Sequence, residues 1–105
     1  MREFTCEEVK LKQNEWTLID VRTPEEFVGE LGHIEGARLL PLGNEVLEFL
    51  KSANPAQKII FVCRSGARSG QVTLLSEEMG FTNTVNMVGG MLRWNELKLP
   101  IQKGV

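Results

Sequence analysis

The chain has 105 residues, 42 % hydrophobic and 25 % charged, with a formal net charge of −2. That length suits one compact domain over residues 1–105, with nothing to spare for a second. The charge balance gives no basis for binding nucleic acid or a membrane surface, no apolar run is long enough to span a bilayer, and no secretory signal follows Met1-Arg2-Glu3-Phe4.

Thr5-Cys6-Glu7-Glu8 reads as a capping box, predicting a short surface helix to about Gln13. Thr17 to Val21 is an apolar run that reads as a buried strand. A second capping box follows in Thr23-Pro24-Glu25-Glu26, with Pro24 at the favoured first helical position and Gly29 and Gly32 closing the helix early. Ala37 to Leu40 is a strand candidate stopped by Pro41. Glu45 to Ala53 is a helix with one apolar side, broken by Asn54-Pro55. Lys58 to Val62 is an uninterrupted apolar strand, as expected where both sheet faces are covered. Ser69 to Met79 reads as a helix with Val72, Leu75 and Met79 along one face and Gly80 as its stop. Thr84 to Met87 is a strand, and Gly89-Gly90 turns into a short helix carrying Met91 and Trp94.

Strands alternating with helices predict an α/β fold with a parallel sheet between two helical layers. In such a sheet the loops leaving the C-terminal strand edges build the site. Asp20, Cys63 and Val88-Gly89-Gly90 fall at such exits.

Cys63-Arg64-Ser65-Gly66-Ala67-Arg68 lies between the strongest strand and a helix. A cysteine is an effective nucleophile only as thiolate. Amides from Arg64 to Ser69 can curl into an anion-binding nest, the helix adds its positive end, and Arg64 and Arg68 add charge. Gly66 lets the loop turn sharply, and Ser65 and Ser69 are candidate hydroxyl donors, Ser69 being read first as the helix N-cap. A cysteine ending a buried strand can equally be a small hydrophobe. It is the conjunction of strand, Cys, Gly, Arg and helix that favours chemistry.

At these residues the chain resembles the rhodanese family, and in particular its small single-domain sulfurtransferases. The resemblance runs over nearly the whole length: Asp20-Val21-Arg22, Glu26-Phe27, Gly32 to Ala37 and Pro41, then Cys63 to Arg68, then Gly80-Phe81, Val85, Gly89-Gly90-Met91 and Trp94. It implies a three-layer α/β/α sandwich with a five-stranded parallel sheet ordered 1-5-4-2-3, and a persulfide on Cys63 cradled by loop amides. Cys63 to Arg68 is six residues, the length associated with sulfur transfer. Related cell-cycle phosphatases use a loop one residue longer. Arg64 matches the cationic position that helps thiosulfate-using relatives hold their donor. Arg68 departs from the Thr found there in some two-domain members.

The implied reaction carries sulfane sulfur from thiosulfate or a related donor, through Cys63, to cyanide or a thiol acceptor, which can be a protein thiol. The alternatives are a persulfide carrier and a non-catalytic interaction module on the same fold. Asp20 and Arg22 are expected to shape the rim, through hydrogen bonds or an ion pair with Glu26, chiefly as structural anchors. His33, the only histidine, is read as a structural hydrogen-bonder. With no cluster of ligand residues, no metal or other cofactor is expected. Cys6 and Cys63 sit in contexts unsuited to a bridge, so free thiols and a reducing, cytoplasmic setting are expected.

Overall fold

The computed structural model describes residues 1–104. Its elements are β1 (Arg2–Phe4), α1 (Cys6–Lys12), β2 (Thr17–Asp20), α2 (Pro24–Phe27), β3 (Arg38–Leu39), α3 (Asn44–Ser52), β4 (Ile59–Val62), α4 (Ala67–Glu78), β5 (Thr84–Met87) and α5 (Gly90–Glu96). The five strands form one parallel sheet in the order β1-β5-β4-β2-β3. That is the α/β fold and strand order the resemblance implies.

Alternation along β4 separates two apolar layers, because successive side chains leave opposite faces of a strand. Ile60 and Val62 join Phe4, Val9, Val85, Met91 and Trp94 on the face covered by α1 and α5. Ile59 and Phe61, with Cys63 beyond the strand end, join Ile19, Val46, Leu50 and Val72 on the face covered by α3 and α4. β4 and β5 are buried at every position, as a central parallel strand requires.

Both capping boxes form. Thr5 accepts from the Glu8 amide at 3.1 Å while the Glu8 carboxylate accepts from the Thr5 amide at 2.9 Å, and Thr23 and Glu26 repeat the arrangement. Three features depart from the reading of the residues. β1 is a strand the local pattern does not announce. Its first two residues are exposed, and its conformation comes from pairing with β5. Helix α4 begins at Ala67, two residues before Ser69, and buries Ser69, Gly70, Val72, Thr73 and Ser76, leaving Leu75 exposed. Its inner face is therefore small and polar, and hydrogen bonds hold it: the Ser76 hydroxyl lies 2.7 Å from that of Thr84, and Thr73 donates to Ser69 O at 2.8 Å. Cys6, expected on a surface helix, is buried in the first apolar layer.

Candidate active site

Beyond β4 the chain turns back over its own sulfur. Gly66 makes the turn with φ +100°, and a Cβ there would lie 3.3 Å from Gly89 N and 3.4 Å from Met87 O, so no other residue fits without strain. The turn returns the Gly66 amide to Cys63, to whose Sγ it donates at 3.1 Å. It also starts α4 at once, with Gly66 rather than Ser69 as the N-cap. Ser69 instead projects from the first turn of the helix, its Oγ 3.3 Å from Cys63 Sγ.

Behind the loop, α5 supports the peptide carbonyls. The Met91 amide donates to Cys63 O at 2.9 Å and the Leu92 amide to Arg64 O at 3.0 Å. Gly90 lies so close that a Cβ would meet Arg64 O at 2.4 Å and Cys63 O at 2.5 Å. This close approach requires a glycine at position 90 opposite the cysteine loop, while at Gly89 a Cβ would meet the Arg93 side chain.

Cys63 is fully buried. Burial by itself pushes its thiol up, but hydrogen bonds from the Ser69 hydroxyl and from the Ser69, Gly66 and Ser65 amides outweigh it and hold the thiol below its ordinary value. Ionisation thus rests on hydrogen bonds more than on the arginines. Arg68 is engaged by Glu26, its two terminal nitrogens donating to the two carboxylate oxygens at 2.7 and 2.9 Å. Each partner stabilises the charge of the other: the Glu26 carboxyl is held down to about 2 and the Arg68 guanidinium is raised further. Arg64 is exposed and in no ion pair among the described residues. It lines a cleft of about 520 Å³ with Arg22, Glu25, Glu26, Glu30 and Leu31. Ser65 and Ala67 are exposed on the loop, and Ser65 contributes its amide rather than its hydroxyl to Cys63.

The rim pairs differently from the sequence expectation. Arg22 bonds not the Glu26 carboxylate but Asp20, at 2.7 to 3.2 Å, and both are buried. Two further guanidinium hydrogens go to Gly32 O at 2.7 Å and Glu26 O at 3.2 Å, tying the strand exit to α2 and the following turn. His33 lies with Nδ1 2.8 Å from Phe27 O and its ring stacked on Phe27 at 3.7 Å, a structural role. The residue that sequence reasoning missed is Asn86. It bonds Ser69 Oγ at 2.6 Å and Gly66 O at 3.3 Å from the middle of β5. Its signal was available, as an amide in a strand otherwise suited to the core.

A profile of the rhodanese-like domain matches residues 5–97. The chain belongs to the rhodanese-like domain family. The rhodanese-like chain is 36 % identical to thiosulfate sulfurtransferase 18 of Arabidopsis thaliana, with 87 % of the chain and 75 % of that protein aligned. It is 34 % identical to a sulfurtransferase of Allochromatium vinosum, over 80 % of the chain and 76 % of that protein. The crystal structure of a rhodanese-like domain protein from Staphylococcus aureus superposes with a TM-score of 0.79 at 34 % identity, covering 97 % of this chain and 99 % of that one. Across eight of the curated relatives it matches, the chain spans between 38 % and 76 % of the relative's own length.

Proposed function

We propose that this rhodanese-like domain is a sulfurtransferase that moves sulfane sulfur from thiosulfate, or a related donor, through a persulfide on Cys63 to cyanide or a thiol. The observation that carries the reading is the convergence of the Gly66 amide and the Ser69 hydroxyl on Cys63 Sγ, at 3.1 and 3.3 Å. These donors favour a thiolate without a neighbouring base.

The Cys63 thiolate attacks the outer sulfur of thiosulfate. A sulfur–sulfur bond to Cys63 forms, the bond inside thiosulfate breaks, and its electron pair leaves with sulfite. In the second half, cyanide attacks the outer sulfur of the persulfide and departs as thiocyanate, returning the Cys63 thiolate. No proton or electron is exchanged with an outside partner, so neither half-reaction calls for a general acid or a redox group. The amides of Ser65, Gly66 and Ser69 stabilise the anionic sulfur. Arg64, in no ion pair among the described residues, supplies the charge that meets the dianionic donor beside the loop. Arg68, held by Glu26, serves to fix the loop. Because Cys63 is covered, the donor enters as the exposed Arg64-Ser65 segment shifts.

The test is the intact mass of the purified protein after thiosulfate treatment, with Cys63→Ser in parallel. A gain of roughly 32 Da, the mass of one sulfur atom, is expected on the native protein, lost on adding cyanide and absent from the variant. Folded protein that takes up no sulfur from thiosulfate would remove this reading.

A further inference from the structure

Ser69 has one hydroxyl proton and two neighbours that can accept it. Its Oγ lies 2.6 Å from Asn86 Oδ1 and 3.3 Å from Cys63 Sγ. The Asn86 amide nitrogen donates to Gly66 O at 3.3 Å, which leaves Oδ1, an acceptor only, facing Ser69. All three side chains are at most 3 % exposed, and at such depth an unmet polar atom is costly.

The two charge states of Cys63 make opposite demands on that proton. As a thiol, Cys63 can donate S–H to Ser69 Oγ while Ser69 donates onward to Asn86, and every donor finds an acceptor. As a thiolate, Sγ has only lone pairs to offer and draws the Ser69 proton to itself, leaving Asn86 Oδ1 without its partner. We propose that Asn86 is a positioning residue that competes with Cys63 for the single Ser69 proton, so that the hydroxyl turns between strand β5 and the sulfur as the charge on Cys63 changes.

The inference rests on the sulfurtransferase reading for its place in turnover. In the persulfide the charge sits on the outer sulfur, away from Ser69, and the hydroxyl returns to Asn86. When an acceptor removes that sulfur, Cys63 departs as thiolate and the hydroxyl swings back to receive it. The proton stays on Ser69 throughout. Such competition also limits how far the resting thiolate is stabilised, and a less stabilised thiolate is the stronger nucleophile.

The experiment is a titration of Cys63 by ultraviolet thiolate absorbance, which does not depend on sulfur transfer. It compares native protein, Asn86→Val, Ser69→Ala and the double variant. Valine suits a buried strand and removes the acceptor. It also removes the bond to Gly66 O, but that effect is common to both Ser69 backgrounds and cancels between them. So do the charges around the loop, namely the Asp20–Arg22 pair at the end of β2, Glu26 on α2, Arg68 on α4 and Arg64 on the loop, which every variant retains. The shift produced by Asn86→Val should be further downward when Ser69 is present than in the Ser69→Ala background. The expected difference is about 0.5–1 pH unit, the size of one neutral hydrogen bond. Equal shifts in the two backgrounds would overturn the proposal. A second measurement keeps Asn86 in place, should its replacement fail to fold: the Asn86 side-chain amide resonances should follow the Cys63 midpoint in native protein and move much less in Ser69→Ala. Equal movement in both would also overturn it. A protein that passes these tests yet takes no sulfur from thiosulfate would retain the proton competition and lose only the reaction.

Discussion

Cys6 and Cys63 are both buried thiols, yet their surroundings drive them apart. Burial first, and then Glu7, pushes Cys6 up to about 11, against a smaller opposing pull from Arg93. Its polar contacts are the carbonyls of Val88 and Gly90 at 3.7 Å, which accept from a thiol and repel a thiolate. Cys63 faces donors instead. At neutral pH, iodoacetamide should therefore label Cys63 and spare Cys6 until the protein unfolds, a difference peptide mapping would read. Arg64→Ala should cost thiosulfate turnover about 1.5–3 kcal/mol, roughly ten- to a hundredfold in kcat/KM, with little change toward an uncharged donor. An unaltered thiosulfate rate would place Arg64 in solvent only. At this scale the residues of the loop were legible because they are contiguous. Asn86 stood out only as an amide in a strand otherwise suited to the core; its partner was not legible, since its contact with Ser69 spans 17 positions and exists only once α4 lies on β5.

Helix α2 is only four residues long, and it is held from both sides. Its Glu26 closes the capping box with Thr23 and clamps Arg68 at the start of α4. A carboxyl held below its ordinary 4.5 to about 2 adds stability that is complete above pH 4.5 and is lost as pH falls through about 2. Native protein and Glu26→Gln should thus differ by a constant amount in denaturant midpoint above pH 4.5, the gap closing between pH 4.5 and about 2. A gap that closed above pH 4.5 would mean the clamp is not formed in solution. Both capping boxes were readable because each is complete within four residues. β1 was not, because Arg2 and Glu3 are exposed and only the partner strand makes them extended. The apolar face of α4 was only partly a guide to its packing: Leu75 is exposed, and beside Val72 the helix packs through Ser, Thr and Gly, residues that hydropathy assigns to the surface.

For the molecule as a whole, alternation of strand and helix was enough for the α/β class, while the order 1-5-4-2-3 came from the family likeness and not from any single element. Period-two alternation within β4 does the rest, feeding two separate apolar layers from one strand. At the C-terminal end of β2 lies the buried Asp20–Arg22 pair, whose arginine also bonds the Gly32 and Glu26 carbonyls. Removing one member leaves an uncompensated charge in the interior. Asp20→Ala should accordingly lower the unfolding free energy by about 3–5 kcal/mol in urea titrations. A loss under about 1 kcal/mol, the range of exposed pairs, would show the site to be open to water.

A trans peptide points its C=O and N–H in opposite directions. By accepting from Met91 and Leu92, the carbonyls of Cys63 and Arg64 are turned toward α5, and the Ser65 amide, on the far side of the Arg64 carbonyl, is turned toward the sulfur. The last helix thus sets the polarity of the loop from behind. It also makes the Met91 and Leu92 amides gauges of that loop: their hydrogen exchange should quicken whenever Arg64 swings away to admit a ligand, and slow when the loop settles over its cargo.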